Sequence, residues 1–529
     1  MSKIRLLDCT LRDGGYINNW LFGSNNIKEI LSRLVDANID VIECGYLSQA
    51  WKEDKNSSRM ASIEIANEVI PKYGSSDFVA MINFGDYAME DIPACTGVGL
   101  TGLRIAFHKK DMEKALVYCA AIKEKGYKLY IQPMVSLNYS DEEFLNLIGK
   151  ANEIDPYAFY MVDSFGAMRK EDLYRLMYLL DNNLSENIRI GFHSHNNLQL
   201  SYSHAQTVCQ HGLSREVIID ASVLGMGRGA GNLNTELFAE YLNRDHDANY
   251  NIVPLLKIVD RVIAPIYQTK YWGYSLPYYL SASYNCHPSY AGYLDEKKTL
   301  AVENMDEIFS MIDGEQRSVF NKAYIRDLYE TYQGKKRIFK GSDCLRKAFS
   351  GKEILILAPG KSVFLEQEKV SAAIAKGMPV VSVNFKPKNV KTDYIFVSNL
   401  RRWETLPKED DAKIIVTSNI QKNTDGVLVV DYIELLNTEE YVNDNAGLML
   451  IAFLIKQGAR KIHIAGMDGY SPLAEDNYLD EGLVIPKRRD VILRQNAGME
   501  SVLERYSKQI PIEFVTTPRF VRPVLREKI

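Results

Sequence analysis

The sequence predicts an α/β protein in two parts, a (β/α)8 barrel with an aromatic-rich helical extension and then an open α/β domain. Three observations carry this. Between residues 1 and about 245, eight short β-rich runs alternate with amphipathic helical patterns, the signature of repeated βα units and a parallel sheet. From about 246 to 345 that rhythm stops, and near Gly351 it resumes. The chain has 529 residues, more than one ordinary core sustains, so two or three domains are expected.

The barrel strands are expected at residues 4–7, 41–43, 78–82, 102–106, 129–133, 158–162, 188–193 and 217–222. Most are continuous apolar runs, as strands buried on both faces should be. Helical segments lie between them. Ile27-x-x-x-Leu31-x-x-Leu34-Val35 is amphipathic, and Ser140-Asp141-Glu142-Glu143 opens another helix with a capping-box pattern. A doubly wound open sheet is the alternative, but eight successive units over about 240 residues fit the size of a TIM barrel better.

Residues 246–345 carry dense aromatics: Tyr267, Tyr271, Trp272, Tyr274, Tyr278, Tyr279, Tyr284, Tyr290 and Tyr293, with His287-Pro288 among them. One reading is a helical layer packed on the barrel. The other is a lid that brings a tyrosine or His287 over the barrel mouth. The basic stretch Lys335-Lys336-Arg337 through Lys340, then Gly341-Ser342, reads as a solvated linker.

The second domain, residues 346–529, is expected to be Rossmann-like, with strands beginning at Glu353 and at 380–383, 394–397, 413–417, 427–430, 461–465 and 512–515 and a helix at 446–456. Its Ala358-Pro359-Gly360-Lys361-Ser362 lacks the first glycine and the spacing of a Walker A loop. A strand-turn-helix junction of this kind still offers backbone N–H groups to an anion, so Gly360 and Ser362 are candidate phosphate or nucleotide contacts. Structural punctuation explains them equally well.

Charge excludes some partners. With 63 basic and 68 acidic residues and a net charge of −5, a broad nucleic-acid surface is not expected. No run approaches the ~18 apolar residues of a membrane span, and no apolar targeting segment precedes the first strand, so the expectation is a cytoplasmic protein without a membrane partner. The seven cysteines are scattered, with no C-x-x-C pair, which argues against a disulfide framework or a zinc ribbon.

The chemistry gathers at the expected strand ends. His193 and His195 are two apart on a strand, so their imidazoles share a face. Asp13 follows the first strand, and Gly225-Met-Gly-Arg-Gly-Ala-Gly-Asn232 follows the eighth, with glycines that let backbone approach and Asn232 to offer a carbonyl oxygen. In a parallel barrel these ends converge on one face. Two imidazoles, a carboxylate and an amide oxygen leave positions open in an octahedral shell, which favours Mn2+ or Mg2+, with Zn2+ or Co2+ as alternatives.

The pattern Asp8-x-Thr10-Leu11-Arg12-Asp13-Gly14, Ile42-Glu43, His193-x-His195-Asn196 and Gly229-Ala230-Gly231-Asn232 resembles the DRE-TIM metallolyase superfamily. That group includes 4-hydroxy-2-oxovalerate aldolase, 3-hydroxy-3-methylglutaryl-CoA lyase, isopropylmalate synthase and biotin-enzyme carboxyltransferase domains. The resemblance spans about the first 240 residues. It implies Asp13, His193 and His195 as metal ligands, Asn232 beside or among them, Arg12 as stabiliser of an enolate oxygen, and Glu43 as the anchor of Arg12 or of metal waters. Carbon–carbon bond chemistry next to a carbonyl needs such a cation and a fixed guanidinium.

One departure matters. The pyruvate-forming aldolases of this group carry a histidine three residues after the metal-binding aspartate, and this chain has Tyr16. A phenol, with an ordinary pKa near 10, needs help to act as a base at neutral pH; a metal-bound water, His287 or a tyrosine of the aromatic region is the alternative. Gln132 and Asp163 are expected to line the mouth and contact substrate, although Asp163 could simply cap a helix. The resemblance implies a lyase acting on a 2-oxo acid and an aldehyde, and a homodimer. A Claisen-type acyl-CoA condensation and a non-catalytic glycan-precursor binding protein are the alternatives.

Asn443-Asp444-Asn445-Ala446-Gly447-Leu448, together with Gly458 through Tyr470, resembles Rossmann-like domains found near bacterial surface-glycan genes, related to sialyltransferase-like and pterin-pyrophosphokinase-like folds. That resemblance implies Asp468 at a ligand-binding strand end, a nucleotide-linked or phosphorylated ligand, and a role in polysaccharide precursor metabolism; a docking module is the alternative.

Overall fold

The computed structural model of the chain describes residues 3–213, 215–297, 300–334, 342–388, 390–407, 412–420, 426–479, 483–484, 487 and 489–520. Eight parallel strands close on themselves: β1 (Ile4–Asp8), β2 (Val41–Leu47), β3 (Asp77–Asn83), β4 (Leu100–Phe107), β5 (Lys128–Pro133), β6 (Ala158–Asp163), β7 (Arg189–Ser194) and β8 (Val217–Ala221). Closure is direct, since Leu7 of β1 pairs with Val41 of β2 and with Asp220 of β8. That excludes the open-sheet alternative for this half.

Strand positions follow the apolar runs, and the largest discrepancy has a local cause. β2 continues to Leu47 rather than stopping at Glu43, through an irregularity in its pairing with β3 between Glu43 and Tyr46. Cys44-Gly45 interrupts the apolar pattern there, while all seven residues of β2 are buried. Arg59–Met60 forms a short extra strand on β2.

Alternation along the strands feeds two layers. Leu7, Val41, Val79, Tyr130, Tyr160 and Ile218 meet inside the barrel. Leu6, Ile42, Ala80 and Ile131 pack outward against the helices. Helix α1 (Ser24–Asp36) buries Ile27, Ile30, Leu31, Leu34 and Val35. Helix α2 (Asp141–Ile154) starts at the expected capping box, in which Glu143 N–H donates to Ser140 Oγ at 3.2 Å and Ser140 N–H donates to Glu143 Oε2 at 2.8 Å.

The chain divides into two units, residues 1–292 with 313–320, and residues 293–312 with 321–529. The aromatic segment is thus shared between them rather than forming a separate extension. In the first unit Trp272 and Tyr290 are buried, and Tyr290 donates its hydroxyl to Gln316 O (2.8 Å) and Val319 O (3.0 Å). Tyr271, Tyr274 and Tyr279 are exposed. The basic linker at 335–341 lies outside the described residues.

The second unit holds an open, all-parallel sheet of β9 (Glu353–Leu357), β10 (Val380–Val383), β11 (Tyr394–Val397), β12 (Lys413–Thr417), β13 (Leu428–Val430), β14 (Lys461–Ala465) and β15 (Ile512–Phe514). Their order is β13-β12-β11-β10-β9-β14-β15. Ile354 and Ile356 face one core, with Leu448 and Phe453 of helix α3 (Ala446–Lys456). Leu355 and Leu357 face another, with Val370 and Ala373. Helices therefore cover both faces, and the order reverses between β9 and β14, where open sheets form ligand crevices. Among the described residues no helix is long and apolar enough to cross a membrane.

Candidate active site

The turn after β1 is fixed before any functional group is placed. Asp8 accepts from Thr10 N–H (2.9 Å) and Thr235 Oγ1 (2.6 Å), and Thr10 Oγ1 accepts from Val223 N–H (2.8 Å). Burial pushes the Asp8 carboxyl up to about 6 despite those donors. Asp8 and Thr10 thus position the helical turn Thr10–Asp13, whose four residues are all buried.

Arg12 is held on two sides. Its Nε donates to Glu43 Oε2 at 2.9 Å and its Nη1 to Asp13 Oδ1 at 2.7 Å. Its Nη2 is buried without a hydrogen-bond partner among the described residues. Asp13 also accepts from Asn232 Nδ2 at 2.5 Å and lies 3.8 Å from His195 Nε2. The two imidazoles stand perpendicular, 5.3 Å apart, and Asp13, His193 and His195 each bring a ligand atom within 4.8 Å of the others.

This donor set fits a divalent ion. Asn232 Oδ1 is a buried oxygen with no partner among the described residues, and a Cβ added to Gly227 would sit 2.5 Å from Asn232 Nδ2 and 2.9 Å from Asp13 Oδ2. Any side chain at 227 would therefore fill the cradle. Burial opposes ionisation of Asp13, but Arg12 and the two histidines outweigh it and hold the carboxyl well below its usual range. Burial lowers His195 to about 3, so it is neutral at pH 7, as a metal ligand must be.

Beneath these groups the barrel interior is charged. Arg104 is fully buried, within 3.0 Å of Glu43 Oε1 and ion-paired with Asp220. Asp220 lies 3.0 Å from His193 Nδ1 and accepts from the Tyr160 hydroxyl at 3.0 Å. With Nδ1–H donated to Asp220, His193 keeps its Nε2 lone pair for an ion. Gln132, oriented as its neighbours require, accepts from Arg104 Nε at 2.7 Å. The fully buried set of Arg12, Arg104, Asp13, Glu43 and Asp220 contains two cations and three anions, and a divalent cation beside Asp13 offsets the excess.

Above the cluster, Arg228 organises the rim. Its guanidinium lies 5.2 Å from the Tyr16 ring and its Nη1 is 3.2 Å from His287 Nε2. It is close enough to favour ionised Asp13 and neutral His195. Burial first, and Arg228 second, lower His287 to about 2. Tyr16 is partly exposed and packs edge-on against Trp20.

The barrel is similar to known proteins. Residues 3–262, just under half of the chain, match the family described as HMGL-like. The barrel is an HMGL-like domain. Relatives include the 4-hydroxy-2-oxovalerate aldolase of Geobacillus genomosp. 3, 26% identical over 271 residues (50% of this chain, 78% of the relative), and that of Pseudoalteromonas translucida, 28% identical over 264 residues (49% and 74%). Among solved structures, the N-terminal domain of a proposed aldolase from Bacteroides vulgatus is 29% identical with a TM-score of 0.50, covering 55% of this chain and 96% of its own. The HMGL-like family is of the lyase type, with divalent-metal-dependent aldolases among its members.

Within the HMGL-like domain, Arg12, Asp13, Glu43, His193, His195 and Asn232 stand together, Gln132 joins them through Arg104, and Tyr16 and His287 meet around Arg228. Asp163 does not line the mouth with a free carboxylate. Its oxygens accept from Ala167 N–H (2.9 Å) and Met168 N–H (3.2 Å), closing its own turn, and burial pushes it up to about 7. Arg104, Asp220 and Arg228 escaped the sequence reading. The first two had a signal: a charged residue inside an apolar strand of a closed barrel must find a buried partner.

Gly360, Ser362 and Asp468 lie in the second unit and engage one another. Gly360 N–H donates to Gly466 O at 2.9 Å, and Ser362 N–H donates to Asp468 Oδ2 at 2.8 Å, with the Ser362 hydroxyl on Oδ1. A Cβ at Gly360 would lie 2.2 Å from Gly466 O. The expected anion cradle is therefore filled from within, because the glycine serves close packing of two strand ends.

Proposed function

We propose that this chain is a divalent-metal-dependent aldolase of the 4-hydroxy-2-oxo-acid class, making or cleaving a carbon–carbon bond through a pyruvate-type enolate. One observation carries the reading: Arg12 is fixed by Glu43 and Asp13 and keeps a buried, unpartnered Nη2 beside Asp13, His193 and His195. The aldolase relatives support the same reaction class.

In the cleavage direction the 4-hydroxyl gives up its proton, the C3–C4 bond breaks, the aldehyde leaves, and the electron pair passes to the 2-oxo oxygen. Asp13, His193, His195 and Asn232 would hold the ion, which when bound supplies Lewis-acid polarisation of the oxo group. Arg12 donates to the oxygen as its charge develops, and it remains a donor because arginine does not deprotonate. Glu43 and Asp13 fix the guanidinium plane beforehand, so orientation is not lost at the moment of reaction. Protons are handled at the rim, where His287 is neutral at pH 7 and Tyr16 lies under the same Arg228. A substrate carboxylate near Arg228 offsets its charge and strengthens His287 as a base.

The test is exchange of pyruvate methyl protons in heavy water, followed by NMR, with Mn2+, Mg2+, Zn2+ or Co2+ and after chelation. Metal-dependent exchange that disappears in Asp13→Asn is expected. Absence of exchange with every metal removes the proposal, and thiol release from acetyl-CoA with a 2-oxo acid moves the activity to a Claisen condensation.

A further inference from the structure

In the barrel, three aromatic rings face one cation. The Arg59 guanidinium lies 5.3 Å from the ring centroid of Trp20, 5.0 Å from that of Tyr46 and 4.7 Å from that of Trp51. Arg59 begins the short strand paired with the end of β2 and is half-buried. Its Nη2 donates to Ser48 Oγ at 3.1 Å, while its Nε is buried without a hydrogen-bond partner and the group has no ion pair among the described residues. Aromatic faces attract a guanidinium without cancelling its charge, so Arg59 keeps donors for an oxyanion.

The place of this group is fixed from the catalytic turn. Asn19 and Trp20 both lie in the left-handed region, with φ of 57° and 59°, which such residues keep only where their surroundings impose it. Here Trp20 Nε1–H donates to Arg12 O at 2.8 Å, Ser58 N–H donates to Trp20 O at 2.9 Å, and Ser58 Oγ donates to Leu11 O at 2.6 Å. A Cβ at Gly15 would lie 2.1 Å from Trp20 Cδ1. The indole and the residue before Arg59 are thus tied to the turn that carries Arg12 and Asp13.

An apolar wall connects the two. Met81 of β3 and Ala106 of β4 are the next inward-pointing residues toward the mouth after Val79 and Arg104. They pack with Tyr46 of β2, Met134 and Trp20, and Arg59 stands over two of those rings. The Tyr46 hydroxyl is spent on Asp86, which leaves the wall without a free polar group of its own at that ring. Arg12 and the metal-binding set thus form a charged floor, and Arg59 is a second, separate cation beyond an apolar stretch.

We propose, resting on the aldolase reading above, that Arg59 recognises a carboxylate at the far end of the aldehyde partner, with Tyr46, Met81, Ala106 and Met134 against its carbon chain. The 4-hydroxy-2-oxo substrate is then a dicarboxylic acid. One guanidinium matches the single charge of a carboxylate and can fork onto both of its oxygens, and the wall buries methylenes. Arg59 touches the part of the substrate that does not react, so it sets specificity and leaves the enolate chemistry to Arg12.

The experiment is condensation of pyruvate by the full chain, with the metal that supports proton exchange, onto succinic, glutaric and adipic semialdehydes, each compared with the neutral aldehyde of the same length. At least one semialdehyde should exceed its neutral counterpart about tenfold or more in kcat/KM, the worth of one charge-assisted hydrogen bond, with the difference lying in KM. In Arg59→Met that preference should collapse through a higher KM for the semialdehyde, and Arg59→Lys, which keeps the charge and loses the fork, should retain part of it. If Arg59→Met does not fold by circular dichroism, Arg59→Lys and the preference of the parent protein carry the test. Proton exchange in pyruvate needs no aldehyde and so separates the two failures. Exchange without preference for any semialdehyde overturns this inference alone, whereas absence of exchange removes the aldolase reading and this inference with it. Equal slowing of charged and neutral aldehydes in Arg59→Met makes Arg59 a structural residue and also overturns the proposal.

Discussion

At the strand ends of the barrel, Arg12 and Asn232 are buried with a donor and an acceptor left over; at the ends of β9 and β14, Ser362 and Asp468 are buried with theirs used on each other. Both places follow a β-strand, and both contain glycines where a Cβ would collide with neighbouring polar atoms. The same local pattern thus produces a site in one case and a latch in the other. Glycine at a strand end reports close approach of something, and hydrogen-bond accounting decides whether that something is a ligand or the chain itself.

The sharpest test of the contrast is Arg12→Lys. Lysine keeps the charge but loses the planar fork that is fixed by Glu43 and Asp13 while presenting a third nitrogen. Exchange of pyruvate protons should fall about 10²–10³-fold, the cost of one preorganised oxyanion donor, with metal content unchanged by elemental analysis. A loss below tenfold would mean that the unpartnered Nη2 has no role in charge stabilisation, and the barrel cluster would then resemble the latch.

Asp220→Asn probes the layer below. The amide oxygen can still meet His193 and Arg104, which share one oxygen of Asp220, but the negative charge that favours Nδ1–H on His193 and pairs with Arg104 is lost, so the tautomer is held less firmly. Metal affinity should fall about 10–100-fold, as for other outer partners of metal ligands, measured by Mn2+ titration with the fold checked by circular dichroism. Unchanged affinity would show that the strand alone orients His193.

How much of this was readable in advance differs between the two regions. Continuous apolar runs located all eight barrel strands and the seven of the second sheet, because parallel strands buried on both faces leave little ambiguity. Arg12, Asp13, His193 and His195 were legible because strand-end positions in a barrel converge. Arg104 and Asp220 were hidden since their partners lie on strands far apart in sequence, 116 residues for this pair. Asp163 stayed between two readings for the opposite reason: a carboxylate after a strand looks the same in sequence whether it faces the mouth or closes its own turn, as its bonds to Ala167 and Met168 N–H do. At Gly360 and Ser362 only three-dimensional pairing could show that the N–H groups were already taken.

The smallest effect is expected from Asp468→Asn, and it concerns stability. The amide retains one acceptor for Ser362 but turns an N–H toward a second donor, which should cost about 1 kcal/mol, read as a lower urea midpoint. The pH dependence has a definite sign. Burial raises the Asp468 carboxyl above its ordinary value, so the native state holds this proton more tightly than the unfolded chain. The resulting stabilisation is fully present below the unfolded pKa of about 3.9 and is lost as pH rises through the folded value. Asparagine does not titrate, so the deficit of the variant relative to the parent should be largest below about pH 4 and shrink as pH rises through the folded value. A deficit that instead grows with pH would show that the hydrogen bonds from Ser362 outweigh burial and hold Asp468 ionised, and the latch would then be a charged pair with the neighbouring cations rather than a neutral clasp.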